Sequence, residues 1–101
     1  MSLKKQFDIK EHICNVTFTI PKDAVKFAKK INLTGEFNNW DIESLPMKKL
    51  KNGEFSTSIE LKQDREYEFK YLINGEVWLN EPDADMFKLN AFHTDNSVLV
   101  V

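Results

Sequence analysis

The sequence predicts an all-β fold, a small antiparallel β-sandwich. Alternation of apolar and polar residues with a period of two dominates the chain. Two tight-turn signals, Lys51-Asn52-Gly53-Glu54 and Asn74-Gly75, punctuate the alternating segments. No convincing long helical pattern competes with them, and several short strands with turns between them make a sandwich the economical solution.

Cys14, Val16, Phe18 and Ile20 alternate with Asn15, Thr17 and Thr19, which reads as a strand with one buried face closed by Pro21. PKDAVKFAKK reads as a loop with one helical turn. Ile31 and Leu33 begin a second strand that runs to Gly35. Phe55, Thr57, Ile59 and Leu61 mark a third, and residues 47 to 61 form a hairpin around Asn52-Gly53. Tyr67, Phe69, Tyr71 and Ile73 mark a fourth, a short strand from Val77 to Asn80 follows Asn74-Gly75, and Ser97 to Val101 closes the chain.

The bulk numbers narrow the function classes. A chain of 101 residues is expected to be one domain, 1–101, and its 42% hydrophobic and 12% aromatic content can fill one core. Net charge is −2 and the lysines fall in scattered doublets, so nucleic acid is not an expected partner. No stretch approaches the roughly 18 apolar residues of a membrane span, and the charged start lacks the apolar segment of a signal peptide. With one cysteine, Cys14, no internal disulfide can form. A cytoplasmic location is the expectation.

The hairpin FKYLINGEVW poses a question of parity, because opposed residues of an antiparallel pair share a face. A two-residue loop of Asn74-Gly75 pairs Tyr71 with Trp78 and turns the indole inward, leaving Glu76 on the apolar face. A three-residue loop of Ile73-Asn74-Gly75 pairs Lys70 with Trp78 and turns the indole outward, with Val77 inside. The second register keeps valine in and glutamate out, and is preferred. An exposed tryptophan beside a lysine suits a sugar: the C–H face of a glucopyranose lies on an indole, and its hydroxyl rim needs hydrogen-bond partners. Trp40, ending LTGEFNNWD, is a second candidate, against the plainer reading that it plugs one end of the sandwich.

LTGEFNNW, a short hairpin, YEFKYLINGEVW and a terminal DNSVLVV together resemble the family 48 carbohydrate-binding modules. These include the glycogen-binding domain of the AMP-activated protein kinase β subunit and the early-set domains of isoamylase-type and branching enzymes. The resemblance covers roughly residues 12 to 101 and implies an immunoglobulin-like, early-set β-sandwich that binds α-1,4-linked glucans such as glycogen, starch or maltodextrins. It assigns sugar stacking to Trp40 and Trp78, and hydrogen bonding to Lys70 and to Asn96 just before the last strand. An apolar residue wedged against the sugar falls near Phe92. The kinase domain has one residue between its glycine and second tryptophan; here Glu76 and Val77 intervene, and a three-residue loop would absorb the difference. The resemblance also implies, as a possible partner, a glucan-metabolising enzyme or a kinase.

Other residues carry plainer expectations. Asn38 in its loop is expected to bond its own backbone. Glu81, Asp83 and Asp85 of EPDAD lack the glycine and distal glutamate of a calcium loop and are expected in a solvated turn. His12 and His93 have no ligand-spaced partners, and Cys14 is expected to be an inert core thiol. No nucleophile elbow or phosphate loop occurs, so no enzyme activity, cofactor or metal is expected. The leading reading is a non-catalytic glucan-binding module; the alternative is an early-set sandwich serving as a protein-interaction or regulatory subunit without sugar binding. The start at methionine and end on a strand favour a complete small protein over a piece of a larger glucan-active enzyme.

Overall fold

The computed structural model describes residues 1–101 as two packed antiparallel sheets. In the first, β1 (Ser2–Asp8), β2 (Ile13–Ile20), β5 (Phe55–Lys62) and β4 (Lys48–Lys49) lie in the order β1-β2-β5-β4. In the second, β3 (Ile31–Gly35), β6 (Glu66–Ile73), β9 (Asp95–Val100) and β8 (Met86–Leu89) lie in the order β3-β6-β9-β8, and β7 (Val77–Leu79) also pairs with β6. The chain is an all-β sandwich, as the alternation predicts. The helical turn expected after Pro21 is a single 3₁₀ turn, Lys22–Ala24.

The inner faces carry the alternating residues of β2 and β6. Cys14, Val16, Phe18 and Ile20 meet Phe69, Tyr71 and Ile73, all buried. Phe18 and Phe69 pack edge to face with centroids 5.3 Å apart, and Phe69 meets Tyr71 at 5.9 Å. Burial of each such ring contributes about 2–3 kcal/mol, so this aromatic row is the rigid back wall of β6. Burial also pushes the Cys14 thiol above its ordinary value, which keeps it unreactive.

Two strands escape the sequence pattern. β1 turns Leu3, Lys5 and Phe7 to the same side as the core residues Phe18, Val16 and Cys14, so a lysine stands at an inward position. Its ammonium is satisfied at the sandwich edge by Asp85 Oδ2 at 2.6 Å and the carbonyl of Val100 at 2.9 Å. β8 is not expected from the sequence: all four of its residues are exposed, so no buried face imposed alternation.

The EPDAD segment is not the solvated turn expected. Glu81 is fully buried, accepts the Tyr71 hydroxyl at 2.7 Å and the Asp83 amide at 3.0 Å, and donates its own amide to Ser97 Oγ at 2.8 Å. Asp85, besides Lys5, accepts the amide of Val100 at 2.7 Å. These carboxylates lock the chain after β7 onto β6 and β9.

The β6–β7 hairpin resolves the parity question in a third way. Ile73 pairs with Val77, Leu72 with Trp78 and Tyr71 with Leu79. Asn74 and Gly75 are both left-handed (φ 54° and 71°), and the Glu76 amide donates to the Ile73 carbonyl at 3.0 Å. The turn is therefore the tight Asn74-Gly75 turn, and Glu76 is an extra residue bulged between turn and strand. The expected Lys70–Trp78 pairing is corrected by two positions to Leu72–Trp78, but parity is preserved: Trp78 shares the outer face with Leu72 and Lys70. Long-range contacts decide it. The Asn74 side chain accepts the amides of Lys29 and Lys30 at 2.8 and 3.2 Å and donates to the Phe27 carbonyl at 3.1 Å. Val77, expected inside, lies on the core parity but at the sheet edge, and is 45% exposed.

Candidate functional site

The motif G-E-F-N-N-W builds the first wall of a groove on the outer face of the second sheet. Gly35 is required by close approach: a Cβ there would lie 2.5 Å from the Glu68 carbonyl oxygen. Phe37 drops inward and packs on Phe18, Phe69 and Tyr67 at 6.2–6.3 Å. The plug of this end is thus Phe37, which leaves Trp40 available to the groove. Asn38 organises the turn, its Oδ1 accepting the Gly35 amide at 3.0 Å and its Nδ2 facing the Asp41 carbonyl at 3.1 Å and Ser44 Oγ at 3.0 Å. That is the backbone-directed role expected of it.

Asn39 and Trp40 are both left-handed, φ 56° and 57°. For a bulky residue such a conformation costs about 1–2 kcal/mol. The Trp40 amide is held by the Gly35 carbonyl at 2.8 Å and the Asp41 amide by the Asn38 carbonyl at 3.1 Å. The double reversal returns the half-buried indole to the sheet's outer face, where it borders the groove.

The groove has a volume of about 900 Å³. All five residues singled out in the sequence line it: Trp40, Lys70, Trp78, Phe92 and Asn96. Trp78 is 48% exposed and Phe92 84% exposed, so both offer apolar surface to a ligand. Lys70 donates to Thr94 Oγ1 at 3.4 Å and has no carboxylate partner; the ion pairs of the molecule are Lys5–Asp85 and Lys88–Glu66. The Glu66 contact at 2.7 Å raises the Lys88 ammonium pKa above its ordinary value.

Asn96 lies within β9 rather than before it, and is only 9% exposed. Its amide is already engaged, Oδ1 accepting Asn90 Nδ2 at 2.9 Å and Nδ2 donating to Glu68 Oε1 at 3.2 Å. One N–H and one lone pair remain for a ligand.

Sequence reasoning passed over Glu36, Glu68, Asn90, Ala91 and Thr94, which complete the lining. Glu68 was findable, since it alternates with Lys70 on the polar face of β6. Glu36 Oε1 accepts the Glu68 amide at 2.6 Å, a contact with no local signal. Asn90, Ala91 and Thr94 sit in the loop between β8 and β9 and became visible only with that hairpin. Chemically, three aromatic surfaces stand around a floor with an ammonium at one part and carboxylates at another. Such a groove suits a flat, hydroxyl-rimmed ligand.

A search among curated proteins returns no significant match. The family described as the glycogen recognition site of AMP-activated protein kinase matches residues 14–101, which takes in β2 to β9 and the whole groove. On that match the chain belongs to the glycogen-recognition family of carbohydrate-binding modules.

Proposed function

We propose that this chain binds α-1,4-linked glucans (glycogen, starch or maltodextrins) in the groove, without transforming them. Trp40 and Trp78 stack on glucose rings, Lys70 and Asn96 bond hydroxyls, and Phe92 wedges against the sugar chain. The observation that carries this reading is the convergence of two tryptophans and an exposed phenylalanine around one polar-floored groove. Each indole offers an apolar plate to the C–H face of a pyranose, and the floor supplies donors and acceptors for the rim.

The non-catalytic part rests on how the groove carboxylates are used. Glu36 holds the Glu68 amide and Glu68 holds Asn96, so both act as struts. A few aromatic anchors then carry most of the affinity, and contacts to hydroxyls are partly wet. Affinity electrophoresis through glycogen or amylose tests the reading. Retention is expected for the unaltered chain and its loss for Trp40→Ala with cooperative thermal unfolding kept; equal retention of the two sinks the site assignment.

A second reading, docking to a kinase or glucan-metabolising enzyme, is favoured by the exposed edge strand β8. Met86, Phe87 and Leu89 there are 40%, 47% and 69% exposed. Pull-down of a protein partner by a chain that retains no maltooligosaccharide would favour it.

A further inference from the structure

The loop between β8 and β9, Asn90 to Thr94, carries Phe92 to the groove, and one side chain ties it together. Asn90 Oδ1 accepts the amides of Phe92 at 2.9 Å and Thr94 at 3.2 Å. Its main-chain amide donates to the Thr94 carbonyl at 2.8 Å, and His93, left-handed at φ 63°, donates back to the Asn90 carbonyl at 3.2 Å. With two N–H donors facing its oxygen, the Asn90 amide group can point only one way. Nδ2 is turned to the groove floor, where it donates to Thr94 Oγ1 at 2.7 Å and Asn96 Oδ1 at 2.9 Å.

That polarity propagates. Asn96 must present its oxygen to Asn90, so its Nδ2 faces the Glu68 carboxylate; a flipped amide would set N–H against N–H at Asn90 and oxygen against oxygen at Glu68. Thr94 Oγ1 accepts from Asn90 and from Lys70, which leaves its own O–H free to donate. We propose that Asn90 is a positioning residue for ligand binding: it holds the Phe92 loop and sets the donor and acceptor directions of Asn96 and Thr94. It acts on the ligand only through these groups, and the proposal rests on the carbohydrate reading of the groove.

Asn90→Asp separates the two roles. A carboxylate still accepts the Phe92 and Thr94 amides, so the loop survives, but it cannot donate to Thr94 or Asn96. The experiment pairs titration with β-cyclodextrin and nuclear magnetic resonance of the unliganded protein. Expected for Asn90→Asp are native-like amide exchange at Phe92 and Thr94, displaced Asn96 side-chain NH₂ resonances, and about tenfold weaker binding. Asn90→Ala, losing both roles, should weaken binding further and speed exchange in the loop. Asn90→Asp affinity within about twofold of the unaltered chain, or unmoved Asn96 resonances, overturns the proposal. If the unaltered chain binds no β-cyclodextrin, the carbohydrate reading fails, and the unliganded Asn96 resonances still decide the positioning role.

Discussion

Trp78 stands opposite Leu72 across the β6–β7 pair, and both share the outer face with Lys70. Glu76 is taken up as a bulge between the turn and the strand, outside the Ile73–Val77 and Leu72–Trp78 pairs. Deleting Glu76 should leave a two-residue Asn74-Gly75 turn with Ile73 still opposite Val77 and Leu72 still opposite Trp78. The shortened chain then has one residue between glycine and tryptophan, the spacing of the kinase domain. Its glucan retention should stay within about twofold of the unaltered chain. Loss of retention equal to that of Trp78→Ala would show that the deletion turned the indole inward.

Gly35 and Gly75 are needed for different reasons, and alanine should separate them. At Gly35 a Cβ meets the Glu68 carbonyl at 2.5 Å and Phe69 Cβ at 2.7 Å, in the register that holds β3 to β6. Gly35→Ala should cost about 3 kcal/mol or more and weaken the Trp40 loop with it. At Gly75 nothing lies within 4 Å, and only the left-handed backbone at φ 71° resists a side chain. Gly75→Ala should cost about 1 kcal/mol and leave ligand retention intact. Urea unfolding of the two variants checks the difference.

Tyr71 and Glu81 couple stability to alkaline pH. Burial, reinforced by the neighbouring Glu81, pushes the Tyr71 phenol far above its ordinary range. The folded state therefore keeps a proton that the unfolded chain releases at about pH 10. The sign follows: this contribution is full below pH 10 and falls above it, by about 1.4 kcal/mol per pH unit. Tyr71→Phe should be less stable at neutral pH by about 2 kcal/mol, since Glu81 loses its buried donor. Above pH 10 its stability should decline less steeply than that of the unaltered chain. Parallel slopes in urea titrations would contradict the assignment.

Legibility in the sequence followed burial. Where one face is buried, alternation located the strand: Ile31–Gly35 and the runs at Phe55, Tyr67 and Val77 agree with β3, β5, β6 and β7 within a residue. β1 and β8 were illegible because Lys5 occupies an inward position and β8 buries no face. Within the groove, residues on a regular strand or in a recognisable motif (Trp40, Lys70, Trp78) could be named in advance. Glu36, Asn90 and Thr94 act through contacts that only the assembled sheet creates. The hairpin shows the same division: Asn74-Gly75 announced a turn, but the docking of Asn74 on residues 27–30 placed the bulge at Glu76.

Trp40 and Trp78, the two tryptophans of the chain, both line the groove, and under the proposed function both contact glucan. Titration of their fluorescence with maltoheptaose reads this directly. A saturable change is expected for the unaltered chain at millimolar sugar, diminished in Trp78→Ala and Trp40→Ala, each with at least about tenfold weaker binding. Emission unmoved by millimolar maltoheptaose, or a response left whole when either tryptophan is replaced, would contradict it.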